Sequence, residues 1–88
     1  MKLKLAMAIA AFVIAPASAE EMLCTDVTVK KPVEEAQAAA VAAGFADITK
    51  MDEEHGCYEA KGLNADGSRF EVYIHPSTLE IVKVKKES

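Results

Sequence analysis

Few side chains in this sequence could do chemistry: two cysteines, two histidines, one acidic run and scattered hydroxyls. Cys24 and Cys57 lack the close Cys-x-x-Cys spacing of a redox pair. With only His55 and His75 beside them, they also lack zinc-finger spacing. In an oxidising compartment the expected use of such a pair is a structural disulfide, and the alternative is a reactive or metal-binding thiol pair. On a chain-entropy estimate, closing a loop of about 34 residues contributes roughly 3.8 kcal/mol. His75 and Ser77 are near neighbours in a turn. Such neighbours rarely assemble the nucleophile, base and orienting group that hydrolysis needs. Asp52, Glu53 and Glu54 could supply paired carboxylates, but an acidic run at a strand end is usually a solvated turn. Asn64 to Ser68 offers oxygen ligands around a glycine, yet it is too short for an EF-type calcium loop. No catalytic residue, metal site or cofactor is assigned, and the chain is read as a non-enzyme.

The compartment follows from the first residues. Met1-Lys2-Leu3-Lys4 is a short positive region, and Leu5 to Ala15 is an uncharged apolar run. Pro16 and then Ala17-Ser18-Ala19 complete the pattern of a Sec signal peptide over residues 1–19, with cleavage before Glu20. The apolar run is too short for a membrane span, which needs about 20 residues. Leu23 before Cys24 does not suit lipid attachment, which needs a small residue there. The expected location is periplasmic or secreted. Cleavage removes Lys2 and Lys4, so the net charge falls from −4 to about −6. That balance disfavours nucleic acid and anionic membrane surfaces as partners, because both demand a positive patch.

The elements that must position these groups read as one α+β domain. Residues 20–31 form a lead-in, with Asp26 to Lys30 weakly alternating, and residues 32–85 form the domain. Pro32 to Ala43 predicts a helix: Pro32 at its first position behind Lys31 as N-cap, Glu34 and Glu35 in its first turn, and Gly44 as its stop. Val33, Ala36, Ala40 and Val41 make its apolar stripe. Four strands follow, over Phe45–Glu53, Cys57–Asn64, Arg69–His75 and Leu79–Lys85, with 86–88 as a solvated tail. Glu54-His55-Gly56, Asn64 to Ser68 and Pro76-Ser77-Thr78 are the turns, and Asp66-Gly67 is the strongest hairpin signal. The expected architecture is one helix packed on a four-stranded antiparallel meander sheet, with the other face polar and open.

The third strand alternates most cleanly. Phe70, Val72 and Ile74 face the core, while Arg69, Glu71, Tyr73 and His75 form an outward row on the open face. This row is the candidate partner-binding site, because tyrosine commonly anchors interfaces. The bland alternative is a solvated sheet face. An exposed edge strand could also accept an extended peptide, unless the lead-in near Val27 to Val29 covers that edge.

Gly56-Cys57-Tyr58-Glu59, then Ala65-Asp66-Gly67, then Val72-Tyr73-Ile74 and the turn Pro76-Ser77-Thr78-Leu79-Glu80 together resemble the PepSY domain. The helix end Gly44-Phe45 followed by Asp47-Ile48 fits the same pattern. The chain looks most like the small exported versions made of a signal peptide and one domain, and the resemblance spans Pro32 to Val84. The pair Cys24 and Cys57 is similar to that of a subgroup. His75 stands where the family usually carries Asp before the proline, and Leu79 where many members have Gly. The resemblance implies a non-catalytic binding module that regulates or inhibits a peptidase locally, as in propeptides of thermolysin-like metalloproteases. The expected partner is a cell-envelope peptidase or another protein. The competing expectation is a periplasmic small-ligand or metal-ion binding protein, built on the open face with His55 and His75.

Overall fold

The computed structural model describes residues 22–88, so the expected signal peptide lies outside the described residues. Helix α1 (Val33–Ala42) is followed by β1 (Asp47–Glu54), β2 (Cys57–Leu63), β3 (Arg69–Ile74) and β4 (Ile81–Glu87). The strands form one sheet in the order β1-β2-β3-β4, every neighbouring pair antiparallel. This is the α+β meander expected from the alternation of the sequence.

Pro32 is the N-cap itself, not the first helical residue. Its extended backbone (φ −60°, ψ 148°) turns into the helix, and its carbonyl oxygen accepts the amide of Glu35 at 2.9 Å. At the other end Phe45 donates to the carbonyl of Ala40 and Gly44 to that of Val41, each at 2.9 Å. With Gly44 at φ 106° this is a Schellman motif. It consumes the amide of Phe45, which is why β1 starts at Asp47 and not at Phe45.

Ala36 and Ala40 are wholly buried, and small side chains let the helix axis approach the sheet. They pack on Tyr58, Ala60, Phe70, Val72 and Ile74, with Val33, Phe45, Ile48 and Met51 around them. Val41 departs from the expected stripe and points to solvent, 44% exposed. Gly62 sits opposite Phe70, and a methyl group there would collide with the Asp47 carbonyl and the Phe70 ring. The ring thus fills the space that a side chain on β2 would take. Burying a side chain such as Phe70 or Ile74 is worth about 1.5–3 kcal/mol.

The turns set the register. His55 and Gly56 both have positive φ, 56° and 81°, as a two-residue type I′ hairpin requires. In the next turn the Asp66 carboxylate accepts the Ser68 amide at 2.9 Å and its hydroxyl at 2.6 Å. These bonds hold its pKa down at about 2. After Pro76 the chain takes Leu79 through the left-handed region, at φ 65°. β4 therefore begins at Ile81, two residues later than expected. It also runs further: Lys86 pairs with Phe70 and Glu87 with Arg69, so the supposed tail is largely strand.

Candidate partner-binding face

The sheet face opposite α1 is built in cross-strand rows. Asp52, Glu59, Tyr73 and Lys83 stand side by side, and Lys50, Lys61, Glu71 and Lys85 form the next row. Ion pairs lace the rows together. Lys61 lies 3.6 Å from Asp52 and 3.9 Å from Glu59, and Lys85 lies 3.7 Å from Glu71. The row expected from β3 is on this face, but the structure does not leave it all open.

The reason is the lead-in. Residues 22–31 form no strand; they make a strap around one end of the sheet. Cys24 and Cys57 form a disulfide, and the amides of Leu23 and Cys24 donate to the carbonyl of His55 at 2.9 and 3.1 Å. Further along, Ser77 Oγ donates to the carbonyl of Val29 at 2.7 Å, and the amide of Lys31 donates to that of Pro76 at 3.0 Å. Lys30 pairs with Glu53 at 2.7 Å, and the Tyr58 hydroxyl donates to the carbonyl of Lys31 at 2.6 Å. The strap thus leaves the open face at the disulfide and reaches the helix side at α1.

Tyr73 lies beneath this strap. It packs with the disulfide and Leu23 in a second small core and is only 4% exposed. This corrects its expected place as an exposed anchor: alternation gave it the right face, but the strap covers it. Arg69 remains exposed, Glu71 is half-buried, and His75 is half-buried in the turn.

Sequence reasoning missed Glu59. It is 1% exposed, and its Oε1 has no hydrogen-bond partner among the described residues. Burial pushes its carboxyl above the ordinary carboxylate range, and the Tyr73 hydroxyl and Lys61 oppose that shift. Tyr73 is raised in turn, first by burial and then by the carboxylate beside it. Its place on a central strand, between Asp52 and Tyr73, is the one signal that could have marked it.

His75 Nε2 lies 2.7 Å from the carbonyl oxygen of Thr25, and Nδ1 accepts the amides of Ser77 and Thr78 at 3.0 and 3.3 Å. Since Nδ1 accepts, the proton is on Nε2, which donates to the strap. His55 approaches Tyr73, with ring centroids 5.8 Å apart. Among the described residues no three His, Cys, Asp or Glu side chains converge as metal ligands.

The family model described as peptidase propeptide and YPEB domain matches residues 3–85. The chain belongs to the PepSY family. No curated protein and no solved structure matches it. The two PepSY departures now have physical accounts. His75 does what a carboxylate would do for the turn amides and, in addition, reaches the strap. Leu79 occupies a position with positive φ, where glycine is at ease, and packs its side chain against the helix-side core.

Proposed function

We propose that this chain is a small exported PepSY module without catalysis of its own, which docks on a cell-envelope peptidase and restrains it in the periplasm or outside the cell. The observation that carries this reading is the family match over nearly the whole chain, in a family described by its peptidase propeptides. A propeptide-like role asks for a rigid module that binds, and the disulfide-tied strap supplies rigidity. The hydroxyl and imidazole nearest to a hydrolytic pair are spent on structure: Ser77 Oγ on Val29 and both His75 nitrogens on backbone groups. Arg69 and Glu71 are the members of the expected row that remain open to a partner.

The test is capture on immobilised, disulfide-bonded protein from cell-envelope extract, with mass spectrometry of what is retained and an activity assay of any peptidase found. An Arg69→Ala/Glu71→Ala variant probes the face without touching the buried Tyr73. Retention of a peptidase whose activity falls on adding the protein is the expected result. Absence of any retained envelope protein at micromolar concentration overturns the reading.

A second reading has one observation in its favour. A cavity of about 510 Å³ lies in the crook of the strap, lined by Met22, Val27, Pro76, Asp26, Glu54 and His55 among others. Its size suits a small ligand. Calorimetry with zinc, copper and calcium tests the metal version, and silence with all three removes it.

A further inference from the structure

We propose that β4 is a docking edge for an extended acidic segment of the partner, which adds to the sheet as a fifth strand. The inference rests on the binding-module reading and names the chemistry of what the module holds.

Among the described residues β4 pairs with β3 alone and leaves its other edge open. Helix α1 packs on β1, β2 and β3. On β4, Val82 and Val84 stay 40% and 49% exposed. Val84 pairs with the wholly buried Val72, so it looks to the helix side, where no described residue covers it. On the opposite face Lys83 and Lys85 pair with Tyr73 and Glu71, while Lys86 pairs with Phe70, so it lies on the helix side, where it meets Asp66 at 3.4 Å. Three lysines therefore sit within one short stretch of a chain whose net charge is −4. Lys83 has no acidic group in ion-pair contact among the described residues. From Lys83 to Glu87 the pairing with β3 is regular, so the backbone is laid out for a further ladder.

The other edge has the opposite character. β1 carries Asp47, Asp52, Glu53 and Glu54 against Lys50 alone, whereas β4 carries three lysines and Glu87. Each edge strand has one register irregularity, between Ile48 and Lys50 on β1 and at Val82 on β4, so charge and not regularity separates the two edges. An acidic strand is repelled there and attracted at β4. Lysines on an edge also keep stray strands away. That protective use does not ask for exposed valines beside them, and it does not favour an acidic strand over a basic one. The fitting occupant alternates: apolar side chains extend from Val84 on the helix side, and carboxylates meet Lys83 and Lys85 on the other. Strand addition of this kind draws affinity from main-chain hydrogen bonds and selectivity from alternate side chains.

The experiment uses protein expressed from its full coding sequence and purified in the disulfide-bonded form. The probe is a fluorescein-labelled nine-residue peptide of alternating Val and Glu. Controls are the Val/Lys peptide and a Val/Glu peptide with alternate backbone N-methylation. Anisotropy titrations at low and high salt are paired with backbone amide NMR. Expected is binding of the Val/Glu peptide at least tenfold tighter than that of the Val/Lys peptide, weakening with salt and lost on N-methylation, with shifts centred on Lys83 to Glu87. Lys83→Glu/Lys85→Glu, checked for an unchanged fold by circular dichroism, should reverse the preference. Equal binding of both peptides, no binding at 1 mM peptide, or shifts centred elsewhere overturns the proposal. So does concentration-dependent dimerisation that masks β4, which would make the occupant a second copy of the chain. Capture of a peptidase that survives Lys83→Glu/Lys85→Glu removes the edge and leaves the regulator. Peptide binding without any captured peptidase does the reverse.

Discussion

The ring of His75 ties the turn after β3 to the strap: its Nε2 donates to the carbonyl oxygen of Thr25, 50 positions earlier in the chain, at 2.7 Å. The same ring caps two amides of its own turn. His75→Asp keeps acceptors for the turn amides and loses the bond to Thr25. It should cost about 1 kcal/mol, and His75→Ala about twice that. Urea titration gives the totals. Hydrogen exchange separates the causes: Asp should release protection in residues 22–30 while the turn amides stay protected. Equal losses in the two variants would show that the turn amides carry nothing, and an Asp variant as stable as the parent would show that the strap contact carries nothing.

The disulfide has a local effect as well as a global one. Cys24→Ala/Cys57→Ala should lower stability by about 4 kcal/mol on the loop-entropy estimate. Because Tyr73 packs directly on the disulfide while Tyr58 packs in the helix-side core, the variant should expose Tyr73 first. Iodide quenching of tyrosine emission, read against a Tyr58→Phe background, measures this. Unchanged quenching with the disulfide gone would mean that the strap stays down without it.

Glu59 gives a pH dependence with a definite sign. Its folded pKa lies above its ordinary value of 4.5, so the folded state holds its proton more tightly than the unfolded one. The contribution to stability is present below pH 4.5 and is lost as pH rises through the folded pKa. Glu59→Gln should match the parent below that range and exceed it at pH 7, by about 1 kcal/mol, the scale of one buried unsatisfied group. Loss of the Lys61 contact works against the gain. Asp66 acts in the opposite sense: its stabilisation is present above pH 3.8 and is lost as pH falls toward 2. Reading the variant against the parent at each pH cancels it. A Gln variant less stable than the parent at pH 7 would show that Lys61 neutralises the buried charge.

Leu79 tests backbone strain against packing. A non-glycine residue in the left-handed region costs roughly 1–2 kcal/mol. Leu79→Ala loses the contact with the core and keeps the strain, while Leu79→Gly loses the contact and sheds the strain. The Gly variant should therefore be more stable than the Ala variant by about 1 kcal/mol in thermal unfolding. At an ordinary position the order is the reverse.

Much of the fold was legible. Helix α1 with its Gly44 stop, the Asp66-Gly67 hairpin and the alternation of β3 are local patterns, set by propensity, turn chemistry and period. The boundaries that shifted did so for local bonds that a pattern does not display, such as the Phe45 amide spent on closing the helix. The face was legible to the same degree: Arg69, Glu71 and Tyr73 do lie opposite the helix.

The sequence by itself determined which side of the sheet the residues of β2 and β3 face, because side-chain direction in a regular strand is fixed by a period of two, which the irregularities in β1 and β4 interrupt. It also determined which cysteine partner was on offer, since the chain has two cysteines. Only the tertiary structure decided what covers that face. The strap reaches Tyr73 through contacts between residues some 50 positions apart, as in the bonds from Ser77 and His75 to Val29 and Thr25. Glu59 is buried by neighbours on other strands, which no stretch of its own strand displays. Burial depends on which distant segments meet, and no local period encodes that.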